Sequence, residues 1–180
     1  VTNDGVILID SGASRNGAEL INQQVQRLTG KKVRWVINTG SQDHRWLGND
    51  YFLSQGAEVI ALHKTVVNQK QLALTQLDSV KAVLKDRFNG TKPAYAQKPI
   101  NQNEAELNLG GTKVQIKYLN HAHFEGDVVV YLPQQNIMFS GDHIYVDRLL
   151  GVLPQSNATT WLDAFTKIES INPKVIVPGH

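Results

Sequence analysis

Val175-Ile176-Val177-Pro178-Gly179-His180 closes the chain as an apolar run, a turn dipeptide and an imidazole. The same arrangement recurs upstream. Gln42-Asp43-His44-Arg45, His123-Phe124-Glu125-Gly126-Asp127 and Ser140-Gly141-Asp142 each adjoin an apolar run that reads as a strand. Separate strands can therefore deliver Asp43, His44, His123, Asp142 and His180 to one sheet edge. Acids and imidazoles gathered in that way suit a hydrolytic zinc centre.

Periodicity working outward from these stretches predicts alternating elements. Residues 5–10, 33–38 and 57–62 read as strands, and residues 15–29 carry apolar positions at helical spacing that stop at Gly30. A short helix is expected over 48–55. A long one follows over 64–88, with Val66, Leu72, Leu74, Leu77, Val80, Val83 and Leu84 on its face. Polar residues 89–104, with Pro93 and Pro99, read as a loop. Strands then follow at 105–109, 113–119, 127–132 and 136–140, turned at Gly110-Gly111 and Pro133-Gln134-Gln135-Asn136. A helix over 158–171 and a strand over 174–177 complete the pattern, which by itself specifies only α/β or α+β.

The order of the motifs resembles the metallo-β-lactamase-fold hydrolases along nearly the whole chain. Val6-Ile-Leu-Ile-Asp10-Ser-Gly12 resembles that family's opening strand and turn, and Val36-Ile-Asn-Thr39 the strand feeding its metal loop. His123-x-x-Gly-Asp127, Phe139-Ser-Gly-Asp142 and Val175-Ile-Val-Pro-Gly-His180 are similar to its later motifs. Each string is short enough to occur by chance, whereas five in the family's order are not. The resemblance implies a four-layer αββα sandwich, formed as a single domain over residues 1–180.

One motif departs from the family. Its signature His-x-His-x-Asp-His is replaced here by Gly40-Ser41-Gln42-Asp43-His44-Arg45, and the first two histidines are missing in any alignment. Setting Asp43-His44 on the family's Asp-His pair leaves Asp43, His44, Asp142 and His180 as four donors for one metal. His123 then stands nearby with too few partners for a second ion. An ungapped alignment into Trp46-Leu47-Gly48-Asn49 instead puts Gly40 and Gln42 at the missing histidines and His44 at the aspartate. It also places Arg45, a cation, at the final histidine, where a metal would sit, and so argues against metal binding. The first alignment explains better why His123, Asp142 and His180 are all retained. It implies one zinc ion per chain, with a second ion or iron as alternatives.

Other residues have assignable parts around such a centre. Asp10, at the end of an apolar strand, needs a partner to be buried and could lie beneath the metal. Arg45 either neutralises carboxylates or holds an anionic substrate group. His121 stands one alternation step from His123, and Arg148 follows the fourth motif closely enough to face the same cleft. Trp46 is better read as core.

Composition limits the partners. The chain has 180 residues, 41% of them hydrophobic, and a net charge of +2. That suffices for one real core. Its basic residues are scattered rather than clustered, which argues against nucleic acid. Cysteine is absent, excluding thiolate ligands and a cysteine nucleophile. No apolar run reaches the ~20 residues of a membrane span. Members of the family usually continue beyond both ends of this sequence, so a fragment of a longer chain is expected, with periplasm and cytoplasm both open as its compartment.

The resemblance implies metal-assisted hydrolysis of an ester, thioester, lactone or lactam-type bond in a small molecule, with Asp43 orienting water or passing a proton to the leaving group. Two alternatives are a metal-poor member that binds a small molecule or protein without catalysis, and an iron redox centre. The latter wants the missing histidines and a flavin domain.

Overall fold

A computed structural model describes residues 1–180 and places two sheets face to face. In the first, β1 (Val6–Ile9), β2 (Val33–Ile37) and β3 (Glu58–Ile60) run parallel in that order. Parallel neighbours need crossovers. One is α1 (Arg15–Thr29); the next holds α2 (Asp43–Trp46) and α3 (Asn49–Ser54). The second sheet is a meander of β4 (Glu104–Leu109), β5 (Thr112–Lys117), β6 (Val129–Leu132) and β7 (Ile137–Gly141). It ends with β8 (Val175–Pro178), which lies parallel to β7 after α5 (Ala158–Ile171).

Local chemistry sets the helix ends. Ser14 caps α1 by accepting the Gly17 amide at 3.1 Å, and the helix stops at Gly30 in the left-handed region, φ 66°, where glycine pays no Cβ penalty. Asn157 caps α5 through the Thr160 amide, and Asn172 ends it with φ 54°.

Three apolar contacts define four layers. Val33, Val36 and Val59 of the first sheet pack against Ala18, Phe52 and Val66 of its helices. Ile37, Ile60, Val114, Ile116 and Val130 fill the space between the sheets. Val129 and Met138 meet Ile168 of α5 on the far side. This is the αββα sandwich expected from the motif order.

The helix after β3 differs from its expected form. It runs as α4 (His63–Leu84) and continues as a 3-10 turn over Lys85–Phe88. Leu74 and Val83, expected on its packed face, are 79% and 75% exposed. The buried stripe is Val66, Gln69, Ala73, Gln76 and Val80, whose steps of three and four follow the helical period. Two glutamines in that stripe face the loop after β2, which includes the unforeseen short helix α2.

Candidate metal centre

The site lies at the carboxyl ends of β1, β2, β7 and β8, where parallel strands leave their loops free for ligands. Asp10, directly after β1, adopts φ 63°, a conformation that aspartate tolerates better than most residues. Its carboxylate accepts the Thr39 amide and hydroxyl, both at 2.7 Å. The end of β1 is thereby tied to the loop after β2.

Buried carboxamides fix the rest of that loop. Asn38 donates to the Arg45 carbonyl at 2.9 Å and exchanges hydrogen bonds with Asn49. Gln69 of α4 donates to the Gly40 carbonyl at 3.1 Å. Gln76 and the Trp46 indole both donate to the Ser41 carbonyl, at 2.9 and 3.0 Å. Trp46 is fully buried and stacks on Tyr95, in keeping with a core role.

These supports bring His44, Asp142 and His180 together, with one donor atom from each lying within 4.8 Å of the others. His180 Nε2 is 3.0 Å from Asp142 Oδ1. His44 Nδ1 is engaged by Asp43 Oδ1 at 3.2 Å, while its Nε2 is buried and has no protein partner. An orphaned imidazole nitrogen beside a buried carboxylate and a second imidazole fits a divalent cation: the donors are of the type zinc takes, and three of them leave coordination open.

Asp43, expected as a ligand, stands outside this group. Its carboxylate binds the His44 amide at 2.6 Å and the ring Nδ1. His123 also lies apart from the trio. Its Nε2 is 3.1 Å from Gln42 Oε1, and the buried ring is edged by Phe124. Burial lowers its pKa, against the nearby Asp142 charge, which favours the cation.

Arg45 is an internal cation rather than a group open to the cleft, with a side chain only 8% exposed. It donates through Nη1 to Asp10 at 3.1 Å, through Nε and Nη2 to Asp142, and through Nη2 to the Gly179 carbonyl at 3.3 Å. Bidentate pairing of this kind is specific to the guanidinium fork. Burial alone would raise the Asp142 pKa, but the hydrogen bond and charge of Arg45 hold it below the usual carboxylate value. Asp10 thus lies beneath the site and reaches it through Arg45.

The other candidates divide. His121 faces away, its Nε2 2.8 Å from the Gln155 carbonyl. Arg148 lies over the Tyr145 ring at 5.3 Å, and that ring lies 4.6 Å from His180, so Arg148 borders the trio through Tyr145. His143 is buried, with Nδ1 3.0 Å from the Ser140 carbonyl, and burial pushes its pKa down to about 4. In the sequence, Gln42 stands out only as the residue at a missing histidine and Asp127 only as part of a motif, while Gln69 and Gln76 were not foreseen. The two glutamines of α4 did leave a signal in the sequence, through their spacing with Val66, Ala73 and Val80.

A family profile described as "Metallo-beta-lactamase superfamily" matches residues 1–180. A metallo-beta-lactamase type 2 from Elizabethkingia meningoseptica is 29% identical over all of this chain and 66% of its own length. The 2,4-dinitroanisole O-demethylase subunit alpha of Nocardioides sp. (strain JS1661) is 20% identical over 98% of this chain and 49% of its own. The chain thus spans from about half to about two thirds of these relatives. Among solved structures, metallo-beta-lactamase IND-7 superposes with a TM-score of 0.80 at 22% identity, covering 100% of this chain and 75% of that one. A metallo-beta-lactamase from Pontibacter korlensis gives 0.78 at 21% identity, over 99% and 75%. No helix here is long and apolar enough to cross a membrane.

Proposed function

Because the chain belongs to the metallo-beta-lactamase superfamily, we propose that it is a metal-dependent hydrolase with one metal position, formed by His44, Asp142 and His180. The carrying observation is that His44, Asp142 and His180 each bring a donor atom within 4.8 Å of the others, while the buried Nε2 of His44 has no protein partner. Asp43 holds the His44 ring from behind, as carboxylates commonly do for metal-bound histidines. Asp10 and Arg45 fix Asp142.

A zinc ion at such a site supplies a water of lowered pKa, from 15.7 to roughly 7, and polarises a carbonyl. The residues of this chain do the positioning. His44 and His180 present imidazole nitrogens. Asp142, kept ionised by Arg45, supplies the negative charge. Tyr145 packs against His180, and burial raises its pKa to about 12, so at neutral pH it is a phenol able to donate.

The arrangement favours the ungapped alignment, with His44 in the place of the family's aspartate and Gln42 in that of its second histidine. The structure gathers one group of three donors, His44, Asp142 and His180, which supports a one-metal site. The substrate is a small molecule with an ester, thioester, lactone or lactam-type bond. The two relatives are named for different reactions, a lactamase and an O-demethylase subunit, so likeness does not choose among these bonds.

Elemental analysis after purification without chelators tests the reading. The expected result is about one zinc per chain in the wild type, lost in His44→Ala and Asp142→Asn, alongside hydrolysis in a screen of esters, thioesters, lactones and lactams. A wild type that takes up no zinc when zinc is offered overturns it and leaves a non-catalytic binding protein of the same fold.

A further inference from the structure

The loop that carries His44 also presents Gln42, whose side chain has no part in the metal position. Its backbone is unusually well fixed. The carbonyls of Gly40 and Ser41 are held by Gln69, Gln76 and Trp46, the Ser41 hydroxyl donates to Asn68 at 2.5 Å, and the Gln42 carbonyl accepts the Arg45 amide at 2.9 Å. Gly40 packs closely on its other side, since a Cβ there would lie 2.6 Å from Asp127 Oδ1.

The far end of the side chain is fixed as well. His123 Nε2 is 3.1 Å from Gln42 Oε1, whereas its Nδ1 is 3.5 Å from the Ser156 hydroxyl, which donates to the His123 carbonyl at 3.0 Å. A carboxamide oxygen can only accept, so the contact with Oε1 is a hydrogen bond in which Nε2 of the ring donates. The carboxamide nitrogen, a double donor, is left with no hydrogen bond inside the protein. An amide anchored by its oxygen, with a free N–H pair, is prepared to meet developing negative charge.

We propose that Gln42 is a catalytic donor, its carboxamide N–H groups receiving the substrate carbonyl oxygen as that oxygen becomes an oxyanion. This rests on the metal position of His44, Asp142 and His180. The water oxygen forms a bond to the carbonyl carbon, and the π pair moves onto the oxygen facing Gln42. Collapse then expels the leaving group, which takes the proton released by the water. Gln42 transfers no proton. Its role is to supply, at the corner where the family keeps two histidines, the electrostatic stabilisation that a second cation would otherwise provide.

The test compares zinc-loaded wild type with Gln42→Met, which keeps the length of the side chain and removes the donor. Two probes are used: p-nitrophenyl acetate for turnover, and phenylphosphonate for binding, read from the side-chain amide resonances of Gln42. The variant should keep the wild-type zinc content and lose about 10²–10³-fold in kcat, with KM changed by less than about threefold. Phenylphosphonate should shift the Gln42 amide pair and bind about tenfold more weakly to the variant. Turnover within about threefold of wild type at equal zinc content, or Gln42 resonances unmoved at saturating phenylphosphonate, overturns the proposal. Zinc uptake separates the two readings: a wild type that binds zinc but leaves Gln42 unmoved defeats only the donor role, and one that takes up no zinc defeats both.

Discussion

Asp43 Oδ1 lies 3.2 Å from His44 Nδ1, so the carboxylate grips the ring on one side and leaves Nε2 as the buried nitrogen without a protein partner. Two adjacent residues therefore play different parts, one gripping the ring and one donating. Asp43→Asn should weaken zinc binding by about 10–100-fold without abolishing it, the usual effect of removing a carboxylate behind a metal-bound histidine. His44→Ala should abolish binding. Competition titrations with a zinc chelator measure both. Equal losses in the two variants would return Asp43 to the ligand set.

Arg45 joins the two sheets through Asp10, Asp142 and the Gly179 carbonyl, almost wholly out of water. Arg45→Met removes the cation and leaves the buried carboxylates of Asp10 and Asp142 without their shared partner. Breaking one side of a buried pair costs about 3–5 kcal/mol, so thermal unfolding should move well down. Zinc should restore more stability to this variant than to wild type, since a divalent ion then neutralises Asp142 alone. A variant as stable as wild type without metal would refute the linking role.

How far the sequence revealed this depends on the element. Strands and their terminal acids were readable because apolar runs and turn residues are local signals, and Gly30 marked the end of α1 for the same reason. The split between Asp43 and His44 was not readable. On a helical turn, successive residues point about 100° apart, and which of them faces the cleft is set by Gln69 and Gln76 reaching across from α4. Those glutamines also explain why Leu74 and Val83 lie outside the packed face. Part of the buried stripe is spent on polar contacts to the loop, and a reading based on apolar residues alone rotates the helix.

Gly179 is where the strand ends meet. A Cβ there would collide with the Gly141 carbonyl and lie 2.6 Å from Arg45 Nη2. Gly179→Ala should push the β7 and β8 ends apart, cost about 1–3 kcal/mol as overpacking does, and displace His180 from Asp142. Chemical denaturation and zinc affinity should therefore fall together. A loss of stability with unchanged affinity would show that the Pro178-Gly179 turn serves packing alone.

Asp127 supplies a pH test. It is fully buried, with Oδ2 accepting the Phe124 amide at 2.7 Å and Oδ1 unpartnered beside Gly40. Burial first, and the negative charge of Asp142 second, push its pKa well above 3.8. The folded protein therefore keeps a proton that the unfolded chain loses as pH rises past about 3.8. The stability contribution is fully present below that pH and declines upward until the folded carboxyl ionises, at up to about 1.4 kcal/mol per pH unit. Asp127→Asn has no proton to lose. Asp142, whose shift has the opposite sign, is present in both proteins and largely cancels in the comparison. Urea unfolding of the two proteins at pH 5 and pH 8 should show the variant gaining on wild type at the higher pH. A stability difference that stays constant between the two would mean Asp127 is already ionised in the folded state at pH 5.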